Sequence, residues 1–372
     1  MDFLCKFVPM IYKTILKLRH RAYDKGRKKS FEADVPTICI GNITVGGTGK
    51  TPHTEMVLRT LLKSDDWAYA NLAVLSRGYK RKSRGFQKVP IGGSAGLFGD
   101  EPVQIAGKFP IATVAVDKDR VEGCRLLTHP ETADIAPAQV IILDDAFQYR
   151  RLKATYNILL VDYNRPVHKD KLLPWGRLRD LPSRMAYADM IIVSKCPNYM
   201  EDTERQEWAT SLGVKDYDPA TCRGKSAKDK EQVLIFTSVS YKPMVPVYQD
   251  KADSRFTYAR RVVLFTGIAN DLPLRSYLSD SYKIAKRLEF PDHHQYTSKD
   301  VKSIVKAMKA FPTACVATTE KDAGRILDFK KIPEELKERL FQVPIEISFL
   351  SELEQQVFEA ALLGALRPYT PV

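Results

Sequence analysis

A chain of 372 residues exceeds the length at which one hydrophobic core usually stops growing, so its size predicts two domains. Its hydrophobic content of 44% excludes a largely disordered chain. The six scattered cysteines form no Cys-x-x-Cys pair, which excludes a disulfide framework and a zinc site and indicates the reduced thiols of a cytoplasmic protein.

The formal net charge of +13 is distributed unevenly along the chain. Residues 1–29 carry nine lysines and arginines against Asp2 and Asp24, a net +7, and a second basic cluster lies between Arg77 and Lys88. Such runs are often no more than a solvated surface. The alternative is contact with an anionic partner, which would be a membrane, a nucleic acid or a phosphorylated substrate.

The first 20 residues have the pattern of a basic amphipathic helix, in which Pro9 either sets the helical start or introduces a kink. Lysines lie on one helical face, and the opposite face is apolar, with Leu4, Phe7, Val8, Ile11, Ile15 and Leu18. The lysines, which are Lys6, Lys13 and Lys17, argue against a spanning helix, and no signal-peptide cleavage site follows. We expect this helix to lie in the cytoplasmic leaflet interface, with packing on its own domain as the alternative.

Short apolar runs alternate with helical patterns in the first half of the chain, which predicts a mostly parallel α/β sheet with helices on both faces. The first predicted helix extends from about Lys50 to Lys63. Each predicted strand is continuously apolar, as expected for strands covered on both sides. These strands are 37–40, 73–76, 112–116, 140–143, 158–161 and 190–194.

The second half is divided by a polar, charged segment, residues 202–232, which shows no clear strand and is taken as the end of the first domain. Residues 233–237 and 262–265 predict strands that either form a two-stranded connector or open the second domain. The α/β pattern then repeats more briefly, with strands 284–288, 314–318 and 343–347 and helices near 298–310 and 351–364. The predicted domains are an N-terminal helix (1–29), a larger α/β domain (30–230) and a smaller C-terminal α/β domain with a β connector (231–372).

The strongest local motif follows the first predicted strand and opens the first predicted helix. It consists of Thr44, Val45, Gly46, Gly47, Thr48, Gly49, Lys50 and Thr51. This is the context of a phosphate-binding loop, in which glycines let backbone N–H groups face the phosphates and the helix N-terminus adds positive potential. Lys50 would contact the β- and γ-phosphates and Thr51 would ligate Mg²⁺, although Thr44 replaces the first glycine of G-x-x-x-x-G-K-T.

A second motif is the apolar run 140–143, which ends in Asp144 and Asp145. A carboxylate at this place in a P-loop protein reaches Mg²⁺ directly or through water. Guanine-specific proteins carry Asn/Thr-Lys-x-Asp after a late strand, but the corresponding segment here, Ser194–Pro197, has no aspartate. The expected nucleotide is therefore ATP.

Further polar segments stand at predicted strand ends, where doubly wound sheets bind their ligands. Together with the two motifs above, and in the same order along the chain, they resemble those of the tetraacyldisaccharide 4'-kinase family from about residue 36 to 325. The matching segments are Gly41–Pro52, Ser76–Tyr79, Gly99–Pro102, Leu143–Gln148, Arg165–Pro166, Leu173–Arg179, Phe290–His294 and Thr318–Asp322. The chain departs from the family at Ala146, Tyr149 and Asp180, where glycine, histidine and glutamate are usual.

The resemblance implies an enzyme that transfers the γ-phosphate of ATP, with Mg²⁺, to the 4'-hydroxyl of a tetraacyldisaccharide 1-phosphate lipid A precursor, forming lipid IVA. It also implies an N-terminal membrane-associating helix and an active site between two α/β domains. The expected partners are the glycolipid substrate and the inner membrane surface on its cytoplasmic face, without nucleic acid. A rival hypothesis is a P-loop ATPase acting as a switch or binding module on a nucleic-acid or protein partner, which explains Lys50 and Asp145 but neither Asp100 nor His293.

The resemblance also assigns roles to individual residues. The expected catalytic residues are Lys50, Asp100 and His293; the Mg²⁺ ligands are Thr51, Asp144 and Asp145; the substrate ligands are Arg77, Arg120, Arg179 and Asp180. Asp100 would be the general base, but an isolated aspartate has a pKa near ~3.9, so His293 would orient it and share the proton once the domains close. The alternatives are a structural role for His293 and an indirect Mg²⁺ role for Asp100.

Overall fold

The computed structural model describes residues 2–292, 294–329 and 331–369, which form two β-sheets covered by helices. The helices are α1 (Asp2–Asp24), α2 (Lys50–Lys63), α3 (Ala95–Phe98), α4 (Asp100–Lys108), α5 (Arg120–Thr128), α6 (Asp202–Leu212), α7 (Ser254–Thr257), α8 (Leu272–Ser281), α9 (Ser298–Ala310), α10 (Glu320–Leu327), α11 (Glu334–Lys337) and α12 (Glu352–Leu366). The strands are β1 (Thr37–Gly41), β2 (Leu72–Ser76), β3 (Gln87–Lys88), β4 (Thr113–Val116), β5 (Val140–Asp144), β6 (Tyr156–Asp162), β7 (Met190–Ser194), β8 (Lys215–Asp218), β9 (Arg223–Lys225), β10 (Glu231–Tyr241), β11 (Val245–Pro246), β12 (Arg261–Thr266), β13 (Lys283–Glu289), β14 (Cys315–Thr319), β15 (Leu340–Val343) and β16 (Ile345–Phe349).

Seven parallel strands form the centre of the larger sheet, in the order β4-β2-β5-β1-β6-β7-β10. β1 lies between β5 and β6, with Ile40 paired with Asp144 and Gly41 paired with Leu159. The chain passes from β1 to β2 on one side and reaches β6 on the other, so the strand order reverses at β1. Open α/β sheets bind ligands at the carboxyl ends of the strands at such a point.

Helices cover both faces of the larger sheet because its central strands are buried on both sides. α2, α4 and α12 pack on the face that Ile38 and Ile40 line, whereas α5 and α6 pack on the face that Cys39 and Ile43 line. Phe358 of α12 is fully buried in the first of these cores, which contributes about 1.5–3 kcal/mol to folding. The arrangement confirms the predicted fold class, and it joins the C-terminal helix to the core of the larger sheet.

The smaller sheet has the order β11-β15-β14-β12-β13, with β15, β14, β12 and β13 parallel. α8 covers one face, and α9, α10 and α11 cover the other. The two sheets are joined through β10, whose first half pairs with β7 and whose second half pairs with β16. The chain leaves the larger sheet through β10 and returns to it through β16 and α12.

One alternative and one expectation for this region are wrong. Residues 233–236 pair with β7 in the larger sheet, so they do not form a two-stranded connector with residues 262–265; the connector instead pairs Thr237–Tyr241 with β16. Residues 202–232 contain α6, β8 and β9, although their composition predicts no strand. β8 and β9 form a short antiparallel hairpin at the sheet edge with mostly exposed polar side chains, so they lack an apolar pattern. The domain limits at residues 29 and 230 stay predictions.

α1 packs on the protein along one face and exposes apolar side chains along another. Leu16 and His20 are buried, and Tyr12 Oη donates a hydrogen bond to the carbonyl oxygen of Arg179 at 2.9 Å. The exposed side chains retain 54–61% of their surface and are Met10, Ile11, Ile15 and Leu18. No helix in the described ranges is both long and apolar enough to cross a bilayer.

Candidate active site at the carboxyl edge of the larger sheet

The loop between β1 and α2 contains the predicted phosphate-binding motif. Gly46 and Gly49 have positive φ angles of 115° and 84°, which other residues rarely adopt. α2 begins at Lys50, and no side chain of the described residues caps its N-terminus. Its first backbone N–H groups and the Lys50 ammonium are therefore suited to an anionic ligand.

Gly41 fixes the spacing between this loop and the residues that follow β5. A Cβ atom added to Gly41 would lie 2.5 Å from Phe147 Cβ, closer than such atoms approach in real structures. Only glycine therefore permits this packing, which holds the aspartate pair beside the start of the phosphate-binding loop.

Asp145 is paired with two cations. Its carboxylate accepts hydrogen bonds from both terminal nitrogens of Arg179, one of them at 3.1 Å, and its Oδ2 lies 3.8 Å from Lys50 Nζ. Burial opposes ionisation, but Lys50 and Arg179 hold the pKa of Asp145 below its ordinary value. Asp145 also has a left-handed φ of 51°, a conformation that is uncommon for non-glycine residues.

Within the described part of the chain, Asp144 forms no ion pair. Ser76 Oγ donates a hydrogen bond to Asp144 Oδ2 at 3.0 Å, but none of the described residues hydrogen-bonds the other, buried oxygen. Burial and the negative charges of Glu101 and Asp145 raise the pKa of Asp144 to about 7. A buried carboxylate oxygen without a partner is unfavourable unless a cation or another ligand completes it.

These residues fit a Mg²⁺ ion. The unpaired Asp144 oxygen supplies a hard oxygen ligand, and Thr51 is buried in the first turn of α2. Within the described ranges, no group of three His, Cys, Asp or Glu side chains surrounds a common point, so a fully protein-made metal cage does not occur there. Mg²⁺ is typically held by one or two protein groups together with substrate phosphates, which matches this arrangement.

Arg179 connects the aspartate pair to the phosphate-binding loop. Its segment lies beside the start of the loop, where the Val45 N–H donates to the carbonyl oxygen of Arg177 at 2.7 Å. The Arg179 guanidinium also donates to Asn42, whose Nδ2 donates to Thr48 Oγ1 at 2.6 Å. One hydrogen-bond network therefore joins the loop to the carboxylate of Asp145.

The other side of the loop is held by the end of β7. Ser194 Oγ donates to the carbonyl oxygen of Thr48 at 2.9 Å, and Lys195 Nζ donates to the carbonyl oxygen of Gly47. Lys195 also pairs with buried Asp162 at 2.8 Å. Ser194–Pro197, the segment that has no aspartate for guanine recognition, thus contacts the loop directly.

The other predicted substrate ligands lie in different environments. Arg77 is exposed after β2. Arg120 is buried and donates to the carbonyl oxygens of Asp117 and Asp144 at 2.6 and 3.2 Å. Asp180 is buried against α1, 2.6 Å from His20 Nε2. The substrate roles of Arg77, Arg120, Arg179 and Asp180 stay predictions.

Asp100 begins α4 near the same edge of the sheet. Gly99, which precedes it, packs on the turn after β2, because a Cβ on Gly99 would lie 3.3 Å from Gly78 Cα. The Asp100 carboxylate pairs with Arg325 of α10 at 2.8 Å. His293 lies outside the described residues, so the Asp100–His293 pair stays a prediction.

Phosphoryl transfer depends mainly on positioning the donor and neutralising its charge. At the edge of the larger sheet, the loop, Lys50 and Arg179 are joined through Asp145 in one network, and the adjacent Asp144 has an oxygen suited to Mg²⁺. This arrangement defines the class of the protein as a P-loop protein that binds a nucleoside triphosphate and can support phosphoryl transfer.

Comparison with known proteins identifies the family within that class. The family model described as Tetraacyldisaccharide-1-P 4'-kinase matches residues 1–367. The tetraacyldisaccharide 4'-kinase of Phocaeicola vulgatus is 37% identical over 366 residues, covering 97% of this chain and 94% of that protein. That of Bacteroides thetaiotaomicron is 35% identical over 375 residues, covering 98% and 93%. The chain belongs to the tetraacyldisaccharide 4'-kinase family of ATP-dependent kinases, which act on a lipid A precursor.

A solved structure has the same fold. The crystal structure of LpxK from Aquifex aeolicus in complex with ATP matches with a TM-score of 0.71 and 24% identity, covering 98% of this chain and 99% of that chain. Neither the relatives nor this structure supports the rival hypothesis of a P-loop switch that acts on nucleic acid or another protein.

Several contacts of the site do not follow from the sequence motifs. Asn42 and Lys195 contact the loop from outside its motif, and His53 connects the loop to β10, because its ring hydrogen-bonds the Gly49 carbonyl oxygen at 2.7 Å and Thr237 Oγ1 at 3.1 Å. Burial lowers the pKa of His53 to about 4, so this ring is neutral. The position of His53, one helical turn after Gly49, is the one local signal for these contacts.

The fit to Mg²⁺ predicts a thermal-stability difference between wild type and Asp144→Asn. With ADP present, Mg²⁺ should raise the unfolding temperature of wild type by about 2–5 °C, because a ligand bound only by the folded state stabilises it. Asp144→Asn should lose this Mg²⁺-dependent increase, and without Mg²⁺ it should be at least as stable as wild type. Differential scanning fluorimetry measures both effects.

Asp66→Asn, which removes an exposed carboxylate, is the matched control and should keep the full Mg²⁺-dependent increase. An Asp144→Asn variant that responds to Mg²⁺ as wild type does would exclude Asp144 as the ion's ligand.

Proposed function

We propose that this chain phosphorylates the 4'-hydroxyl of tetraacyldisaccharide 1-phosphate at the cytoplasmic surface of the inner membrane, with ATP as donor and lipid IVA as product. The observation that carries the proposal is the network at the edge of the larger sheet, in which Lys50 and Arg179 both pair with Asp145. α1 lies directly beside this network, because Tyr12 hydrogen-bonds the Arg179 backbone.

The donor end of the site holds the phosphates of ATP. The backbone N–H groups of residues 46–51 other than that of Thr48, which donates to the Gly46 carbonyl oxygen, would bind phosphate oxygens, and Lys50 would contact the β- and γ-phosphates. Asp145 keeps Lys50 and Arg179 oriented, so both cations are in place before the nucleotide arrives. Thr51 and Asp144 would hold Mg²⁺, which supplies charge neutralisation on the phosphates when bound.

A groove beside α1 suits the lipid part of the substrate. It has a volume of about 840 Å³, and its walls come from α1 and from residues 170–182. Apolar side chains predominate in the lining, which also contains Lys13, Lys171 and Asp170; the apolar members are Pro9, Met10, Leu172, Trp175, Leu178, Leu181 and Pro182. An apolar groove with two cations and one carboxylate suits acyl chains next to anionic groups.

The exposed face of α1 supports an interfacial position in the membrane. Ile11, Ile15 and Leu18 follow one another at helical spacing and are more than half exposed, which is costly in water and favourable at a lipid surface. Lys13 and Lys17 add attraction to anionic headgroups. The helix is thus both packed on its own protein and able to contact the membrane, so the two alternatives left open by the sequence are compatible.

Asp100 acts as the proton acceptor for the attacking sugar hydroxyl, and His293 orients it and shares the proton. The position of Asp100 at the start of α4, next to the turn after β2, supports a role at the acceptor end of the site. The two residues are far apart in sequence, so their pairing depends on how the segments around the two sheets are arranged.

The donor assignment predicts the outcome of a phosphate-transfer assay in detergent micelles with γ-labelled ATP and the disaccharide 1-phosphate. Wild type should label the lipid, and Lys50→Ala should lower the rate by at least about 10²-fold, because the transferred group loses its nearest cation. Lys63→Ala, at the exposed end of the same helix, is the matched control and should retain wild-type activity. Label that appears only as inorganic phosphate would contradict the proposal.

The membrane assignment predicts weaker vesicle binding when the exposed apolar face of α1 is removed. In co-sedimentation with vesicles containing anionic phospholipid, the triple variant Ile11→Ser, Ile15→Ser and Leu18→Ser should partition at least about tenfold less than wild type. High salt should partly release wild type, because lysine attraction to the surface is screened.

The control for this experiment is the double variant Ile91→Ser and Ile111→Ser, which removes equally exposed apolar side chains elsewhere on the surface. It should bind vesicles as wild type does. Equal binding by the α1 variant and wild type would show that this face does not contact the membrane.

A further inference from the structure

α10, beside the smaller sheet, lies along α4, the helix that begins with Asp100. Three ion pairs join the two helices in antiparallel order: Arg325 with Asp100 at 2.8 Å, Lys321 with Glu101 at 3.3 Å, and Glu320 with Lys108 at 2.5 Å. Arg325 and Lys321 of α10 face the acidic start of α4, and Glu320 faces the basic residue at its end. A shift of one helical turn would separate the partners of all three pairs, so together the pairs favour one docking position.

The Arg325 side chain is fixed by contacts other than its ion pair with Asp100. Its side chain is 1% exposed, and its Nη1 donates to Asp322 Oδ1 at 3.0 Å and to the Gly267 carbonyl oxygen at 3.1 Å. Asp322 is fully buried, and its other oxygen accepts hydrogen bonds from the Gly267 N–H at 2.9 Å and from Thr319 Oγ1 at 2.7 Å. We call Thr319, Asp322 and Gly267 the supporting triad.

Gly267 is required for this triad. A Cβ atom at this position would lie 2.9 Å from Asp322 Oδ1, inside the normal contact distance. A larger residue would displace the carboxylate that fixes the guanidinium. The triad therefore holds the guanidinium of Arg325 in one orientation.

The remaining donors of Arg325 bind one oxygen of Asp100. Nε and Nη2 donate to Asp100 Oδ2 at 2.9 and 2.8 Å. Two charge-assisted hydrogen bonds from a planar group restrict rotation of the carboxylate. A lysine ammonium at this place is a point charge on a flexible chain and would not impose the same orientation.

We propose that Arg325 is a positioning residue of the kinase reaction, which the supporting triad presents to Asp100 so that docking of α10 on α4 sets the orientation of the proton acceptor. This inference rests on the proposed role of Asp100 and gives the segment Thr318–Asp322 a function. Arg325 acts through Asp100, so its loss should lower turnover without weakening ATP binding.

The test measures kcat and the KM for ATP in the micelle assay for Arg325→Gln and Arg325→Lys. Arg325→Gln should lower kcat by about 10²-fold, the loss that a displacement of about 1 Å produces, with the KM for ATP within about twofold of wild type. Arg325→Lys should restore part of the activity but stay about tenfold below wild type. Adding Arg325→Gln to Asp100→Asn should cost little more than Asp100→Asn alone, because the two residues act as a unit.

Lys321→Met is the matched control, because it removes an ion pair of the same helix interface that does not involve Asp100. Its kcat should remain within about threefold of wild type. Equal losses in Lys321→Met and Arg325→Gln, multiplicative losses in the double variant, or full activity of Arg325→Lys would each overturn the proposal. If Arg325→Gln unfolds, the comparison of Arg325→Lys with Lys321→Met decides the matter alone.

The proposed function has a separate outcome in the same assay. If wild type labels the lipid and Asp100→Asn does so equally well, the role of Asp100 and this inference fail while the kinase activity stands. If wild type does not label the lipid, the proposed function itself fails.

Discussion

The parallel pairing of β1 with β5 is the constraint on which the rest of the site depends. It sets Ile40 opposite Asp144, so a phosphate-binding loop and an acidic pair leave the sheet side by side. The close approach of Gly41 to Phe147 preserves this spacing, and Lys50 and Arg179 balance the charge of Asp145. For Asp144, by contrast, none of the described residues hydrogen-bonds the second, buried carboxylate oxygen, so this edge is suited to a cation bound together with an anionic nucleotide.

The sequence predicts most of the larger sheet because its strands are continuous apolar runs between clear helical patterns. The predicted helix 50–63 and the strand 190–194 have the observed bounds. The prediction fails where structure depends on neighbours: the edge strands β8 and β9 are polar, and the apolar run 233–237 gives no sign of which sheet it joins. The burial of Phe358 against the larger sheet could not be predicted from the sequence either, because a C-terminal helix pattern does not show which core the helix covers.

Within the site, the sequence identifies residues that are contiguous in a motif, such as Lys50 and the Asp144–Asp145 pair. It nominates Arg179 only through family resemblance, since the contact with Asp145 spans 34 residues. The pairing of Arg325 with Asp100 spans 225 residues and depends on how α10 docks on α4, so no local pattern predicts it. Only the structure shows which face of α1 packs on the protein, because helical periodicity alone does not distinguish the buried Leu16 face from the exposed Ile15 face.

The central claim is that this sheet edge directs the γ-phosphate of ATP to one hydroxyl of a glycolipid. Phosphorus NMR of the purified lipid product tests it most directly. The account predicts one new phosphate monoester, at the 4' position of the disaccharide, formed in equal amount to ADP. A phosphate added elsewhere, or ADP formed with free inorganic phosphate and an unchanged lipid, would contradict it.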